Sequence, residues 1–126
     1  MSEADGVRVL VIEDDADLRK LIQDYLEYEG YEVATAIDGR EGLERQRSSP
    51  ADLVVTDIFM PGREGIQTIY DLRMEFPHTK IIAMSGGGTS FNDMDYLTVA
   101  RQVGAAKLLK KPFRLEELVE AVRELH

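Results

Sequence analysis

The sequence contains no cysteine, no tryptophan and only two histidines, His78 and His126. Without thiols there are no disulfides, no thiolate nucleophile and no cysteine-ligated zinc. Two distant histidines, one of them the final residue, argue against a multi-histidine metal site. Long apolar runs are also missing, and nothing approaches the roughly 18 residues of a membrane span. The opening residues, Met1-Ser2-Glu3-Ala4-Asp5-Gly6, carry neither a basic nor an apolar segment, so no export signal is visible. Positive charge is scarce: 15 Lys+Arg stand against 24 Asp+Glu, for a net charge of −9. Such a surface repels phosphate backbones and anionic lipid, so neither nucleic acid nor membrane is expected as a partner. A cytoplasmic location is the expectation. The 126 residues, 44% hydrophobic and 31% charged, suit one domain with one core rather than a disordered chain. That domain is read as spanning 1–126, with its core from about 7 to 124 and no output domain after it.

Two periodicities alternate along the chain. Val7–Ile12 is a β-branched run that reads as a strand. Leu18, Leu21, Ile22, Tyr25 and Leu26 follow at helical spacing, and Gly30 supplies a stop. Tyr31–Ala36 reads as a second strand, Asp38-Gly39 as a turn, and Arg40 to about Arg47 as a short helix. Leu53–Thr56 is the third strand. After Pro61-Gly62, Ile66, Ile69 and Tyr70 begin a helix that ends before Pro77. Lys80–Met84 is strand four, followed by Gly86-Gly87-Gly88. Tyr96, Val99, Ala100 and Val103 form a fourth stripe, stopped by Gly104. Lys107–Leu109 is strand five, and Leu115, Leu118, Val119 and Val122 make the last helix. Strict strand–helix alternation over five units predicts a parallel sheet with helices on both faces, joined by right-handed crossovers. The chain is too short for an eight-fold barrel, so an open doubly wound sheet in the order 2-1-3-4-5 remains. Ligands of such sheets bind at the carboxyl ends of the strands, at the switch point, here between strands one and three.

The residues just past the strands therefore carry the chemistry. Strand one is followed by Glu13-Asp14-Asp15, strand three by Asp57, strand four by Ser85 and strand five by Lys110-Lys111-Pro112. Taken singly, Asp14 or Asp15 is most cheaply a helix N-cap, Asp15 and Asp17 are read as such, and Lys110 as a solvated lysine. Ser85 alone would be loop chemistry. Four residue types at four strand ends form a pattern, however. Several carboxylates at one edge repel one another unless a cation neutralises them. Mg²⁺ takes about six oxygens, commonly one or two carboxylates together with phosphate. Asp14 and Asp57 are the expected direct ligands, with Glu13 acting through water. A phosphoryl group on Asp57 would then meet the cation, the Lys111 ammonium and the Ser85 hydroxyl. Phosphoryl transfer to a carboxylate requires that positioning and charge.

With these residues identified, the sequence closely resembles the receiver domain of two-component response regulators. The resemblance runs from about Val7 to Glu124. It rests on Val9-Leu-Val-Ile-Glu-Asp-Asp15 with Leu18-Arg19, on Asp57-Ile-Phe-Met-Pro-Gly62, on Ala83-Met-Ser-Gly86 and on Lys111-Pro-Phe113. The fold it implies is the flavodoxin-like (βα)5 sheet in the order already derived. It implies that Asp57 accepts a phosphoryl group from a phosphohistidine on a sensor histidine kinase or a histidine phosphotransfer protein. It implies an acidic pocket of Glu13 and Asp14, with Asp57 and the backbone carbonyl of Phe59 completing the shell of Mg²⁺, for which Mn²⁺ could substitute. Ser85 and Lys111 would sense the phosphoryl group, and the Lys111–Pro112 peptide would be cis. Such a domain is a phosphoacceptor, not an enzyme acting on a separate substrate, although it catalyses its own phosphorylation and dephosphorylation. Output would be a contact with a downstream protein or onward relay of the phosphoryl group. The docking surface implied is Asp15, Ala16 and Arg19 with Pro112 and Phe113.

The chain departs from the family pattern in three places. Glu13 stands where aspartate is commoner. Leu108 stands where many relatives carry a Tyr or Phe that rotates on activation. Gly86-Gly-Gly-Thr-Ser90 lengthens the loop after strand four. Output is therefore expected through ordering of that loop and a shift of the helix from about Asn92 to Val103. Phe59 and Gly87 offer no polar group to an attacking water, so slow dephosphorylation is expected. Three rivals compete. An aspartyl-nucleophile phosphatase needs a second carboxylate where Phe59 stands, and a cap insertion. An FMN binder using Ser85–Ser90 would place its phosphate loop after the wrong strand and has no tryptophan for the ring. A module that is never phosphorylated leaves the full residue set unexplained.

Overall fold

The computed structural model describes residues 5–58, 64–85, 98 and 100–126. Five strands, β1 (Arg8–Ile12), β2 (Glu32–Ala36), β3 (Leu53–Asp57), β4 (Lys80–Ser85) and β5 (Lys107–Lys110), form one sheet in the order β2-β1-β3-β4-β5. Every neighbouring pair is parallel. The helices are α1 (Ala16–Tyr28), α2 (Gly39–Ser48), α3 (Glu64–Glu75) and α4 (Leu115–Glu124). Residues 100–103 are also helical and precede Gly104. The doubly wound topology expected from the alternation is thus the topology observed, with β1 between β2 and β3 at the switch point.

Alternation along the strands divides the core in two. Val9 and Val11, Leu53 and Val55, and Ile82 and Met84 face a cluster completed by Ile22 and Leu26 of α1 and by Leu118, Val119 and Val122 of α4. Leu10 and Ile12, Val54, and Ile81 and Ala83 face the other, completed by Ile69 and Leu72 of α3 and by Ala100. The central strands are apolar on both faces because helices cover both. Leu108 is half-buried against the second cluster.

α2 carries little apolar surface and gets close to the sheet through glycine instead. A Cβ on Gly42 would lie 2.3 Å from Ile12 Cδ1, so no larger residue fits without displacing that side chain. Gly30, with φ of 101°, turns the chain after α1 into β2, a conformation that glycine adopts without a Cβ clash.

Some expectations shift. β3, β4 and β5 each run one residue further than the apolar runs suggested, so Asp57 and Ser85 are the last residues of their strands. Asp38-Gly39 is less a turn than a helix start, since the Asp38 carboxylate accepts from Glu41 N–H and caps α2. Asp17 sits in the first turn of α1, not at its cap. Leu21 and Tyr70, read as core stripe residues, are 52% and 48% exposed. Each lies on the outer border of its helical stripe, beyond the arc that the sheet can cover. The loop 86–90, Phe59, most of the helix expected over 92–103, and the inferences drawn from them for output and dephosphorylation, lie outside the described residues.

Candidate functional site

Register and pleat bring the site together. The last ladder pair between β1 and β3 is Ile12 with Thr56, so Glu13 comes beside Asp57 one step later. Side chains 9 and 11, 53 and 55, and 109 all point to the α1–α4 face. The period of two then directs Glu13, Asp57 and Lys111 to that same face at the carboxyl edge. On the far side Ser85 pairs with Lys110, and the Lys111 N–H donates to the Ser85 carbonyl at 2.8 Å. The Lys111–Pro112 bond is cis.

The result is a compact charged cluster. Lys111 Nζ donates to Glu13 Oε1 at 2.7 Å and to Asp57 Oδ2 at 2.9 Å. Carboxylate oxygens of Glu13, Asp14 and Asp57 lie within 4.8 Å of one another. Glu13 and Asp57 are 1% and 4% exposed, whereas Asp14 faces solvent. Burial pushes the Glu13 carboxyl up to about 7, helped by Asp14 and Asp57 and opposed by its hydrogen bonds from Lys111 and Asp15. Burial alone would lower the Lys111 ammonium, but its bonds to Glu13 and Asp57 outweigh that and leave it raised.

This donor set suits a hard divalent cation. Oxygens on opposite sides of a Mg²⁺ ion stand about 4.1 Å apart, twice its 2.0–2.1 Å bond length. The three carboxylates lie within 4.8 Å of one another, close enough to share one ion. Among the described residues this is the one group of three such side chains close enough to share an ion.

The other sequence-predicted residues are placed as follows. Ser85 is fully buried at the end of β4. Lys110 is exposed on the opposite side of β5 from Lys111. Asp15 Oδ1 accepts from the backbone N–H of Asp17 and Leu18 at 3.0 and 3.1 Å, the N-cap geometry. Asp15 and Ala16 are exposed, as is Pro112, and Phe113 is half-buried. Pro112, Phe113 and Leu115 line an apolar groove of about 330 Å³ with Leu18, Leu21 and Lys111. Exposed Leu21 therefore has a place, as one wall of a groove opening beside the charged cluster. The sequence reading left out Leu21 and Leu115 as part of this surface. It also placed Arg19 only on the docking face, whereas its guanidinium donates to the Glu13 carbonyl at 2.8 Å.

The model of the response regulator receiver domain family matches residues 9–123. The chain belongs to this family. Among relatives of this receiver domain, the chemotaxis protein CheY of Thermotoga maritima is 35% identical over 95% of this chain and 98% of its own length. The transcriptional regulatory protein PrrA of Mycobacterium tuberculosis is 35% identical over 94% of this chain, which spans 49% of that protein. The response regulator MprA of Mycolicibacterium vanbaalenii is 34% identical over 94% of this chain, which spans 50% of it. The receiver thus matches CheY over nearly its whole length and about half of the longer regulators. Among solved structures, a receiver domain protein from Clostridium thermocellum superposes with a TM-score of 0.85 at 30% identity, over 94% of this chain and 93% of that one. The CheY-like receiver of Methanospirillum hungatei gives 0.84 at 28% identity, over 94% and 91%. No helix among the described residues is long and apolar enough to cross a membrane.

Proposed function

We propose that this receiver takes a phosphoryl group onto Asp57 from a phosphohistidine on a sensor histidine kinase or a histidine phosphotransfer protein. One observation carries the reading: the buried Asp57 carboxylate at the switch point is hydrogen-bonded to Lys111 and lies within 4.8 Å of the Glu13 and Asp14 carboxylates. In the transfer, an Asp57 oxygen forms the new P–O bond as the P–N bond of the phosphohistidine breaks. The leaving imidazole keeps the electron pair and takes a proton from solvent. Such transfers rest on positioning and charge neutralisation. Glu13, Asp14 and Asp57 would hold Mg²⁺, or Mn²⁺ in its place, with the Phe59 carbonyl as a further ligand. The bound ion supplies charge stabilisation to the phosphoryl oxygens. Lys111, already on Asp57, is positioned to pair with one of those oxygens, and Ser85 ends the strand alongside.

The groove between α1 and the Pro112–Phe113 turn supports the partner assignment. Its apolar walls adjoin Lys111, so a helix bearing the phosphohistidine can seat there and deliver the group to Asp57. Asp15, Ala16 and Arg19 border it on α1. The phosphorylated domain then signals by contact with a downstream protein or passes the phosphoryl group on. The reading places the protein in the cytoplasm, with slow loss of the phosphoryl group and no separate substrate. The test is incubation with acetyl phosphate and Mg²⁺, followed by intact mass measurement. The wild type should gain the mass of one phosphoryl group, and Asp57→Asn should gain none. Turnover of a small phosphoester would favour a phosphatase instead.

A further inference from the structure

The acidic loop between β1 and α1 is held from two sides. From the sheet, Glu13 N–H donates to the Ala36 carbonyl at 3.0 Å. The Glu13 carboxylate accepts from Lys111 on one oxygen and from Asp15 N–H, at 3.1 Å, on the other. From the helix, Arg19 Nη1 donates to the Glu13 carbonyl at 2.8 Å and reaches the Asp14 carbonyl at 3.5 Å. These two carbonyls belong to the peptide planes on either side of the Asp14 Cα. Their orientation decides where the exposed Asp14 carboxylate points. Arg19 is itself anchored, since its backbone N–H donates to the Asp15 carbonyl at 2.9 Å while the Asp15 side chain caps the helix.

The chemistry of this contact differs from that of Lys111. Lys111 neutralises carboxylates by occupying the space among them. Arg19 brings its charge in from the carbonyl side, so it leaves that space open. Both contacts are made by the one nitrogen Nη1, which sits between the two carbonyls at the end of the long arginine side chain.

We propose that Arg19 is a positioning residue for the cation pocket. By holding both peptides that flank Asp14, it keeps the Asp14 carboxylate aimed at Glu13 and Asp57. The proposal rests on the cation-dependent reading given above and deepens it. Groups that orient metal ligands contribute measurably to affinity, typically 10- to 100-fold.

The experiment is calorimetric titration of Mg²⁺ into the metal-free full chain, for the wild type, Arg19→Gln and Arg19→Lys, with melting temperatures in parallel. Arg19→Gln should weaken Mg²⁺ about tenfold, at the low end of the range for outer-shell groups. Arg19→Lys should recover most of that loss and remain about two- to threefold weaker than wild type, since it keeps the charge but carries it on a shorter, flexible stem. In phosphorylation by acetyl phosphate, Arg19→Gln should be slow at low Mg²⁺ and reach the wild-type rate at saturating Mg²⁺. A structural defect would not show that recovery. Wild-type affinity in Arg19→Gln, or a rate deficit that persists at saturation, overturns the proposal. If the Gln variant does not fold, Arg19→Lys decides, and unchanged affinity there overturns it. A wild type that binds no Mg²⁺ refutes the functional reading and this proposal together. A binding wild type with an indifferent Arg19→Gln refutes this proposal alone.

Discussion

The two edges of the sheet handle polar groups in opposite ways. At the amino edge, Arg8 N–H donates to Asp52 Oδ2 at 2.9 Å and the Arg8 guanidinium lies 3.5 Å from Glu32. Nearby, the buried Gln46 side chain donates to the Ala51 carbonyl and Thr79 Oγ1 and accepts from Ala51 N–H, at 3.0, 3.2 and 2.9 Å. These groups are matched by the chain itself. At the carboxyl edge, three carboxylates gather around Lys111, and burial, helped by Asp14 and Asp57, raises the Glu13 carboxyl to about 7. The amino edge spends its polar residues on stability. The carboxyl edge keeps a charge deficit that a cation and a phosphoryl group can use.

Substitution at the amino edge should give the largest change in stability and none in chemistry. Gln46→Ala strands the Ala51 backbone groups and the Thr79 hydroxyl, at a cost of about 3 kcal/mol from unsatisfied buried partners. Urea unfolding should show that loss, while the protein remaining folded still takes up the phosphoryl group. Lost uptake would mean that the two edges are not independent.

At the other edge, Lys111→Met removes the ammonium that donates to Glu13 and Asp57. It should destabilise the metal-free protein by about 2 kcal/mol at pH 8, below the 3–5 typical of a broken buried pair because Glu13 can take up a proton. Mg²⁺ should restore much of the loss in thermal unfolding. A variant as stable as wild type without Mg²⁺ would show that the carboxylates do not strain the edge.

A smaller effect concerns pH. The Glu13 carboxyl is raised in the folded protein, from 4.5 to about 7, so folding favours its protonated form. That contribution is fully present below the unfolded value and is lost as pH rises from about 4.5 through about 7. Glu13→Gln should flatten this part of the stability profile and stabilise the metal-free protein at pH 8. An unchanged slope between pH 5 and 8 would contradict the assignment of the deficit to Glu13.

The contrast between the edges also explains what the sequence made legible. Strand order followed from strict alternation. The meeting of Glu13, Asp57 and Lys111 followed from strand ends and a period of two, which needs no knowledge of loops. Leu21 and Tyr70 were misjudged because a helical stripe shows which way a helix leans but not how wide the sheet beneath it is. The Asp38 cap looked like a turn because an aspartate before glycine suits both. Arg19 was read as surface because a guanidinium bonded to loop carbonyls leaves no periodic trace. Its only signal was an arginine in the second turn of a helix whose cap adjoins the acids.

The most direct test of the central claim is the mass of the protein after acetyl phosphate treatment, with Mg²⁺ and with a chelator, for wild type and Asp57→Asn. The account predicts one added phosphoryl group in the wild type with Mg²⁺ and none in the other three samples. An equal gain with the chelator, or in Asp57→Asn, would contradict it.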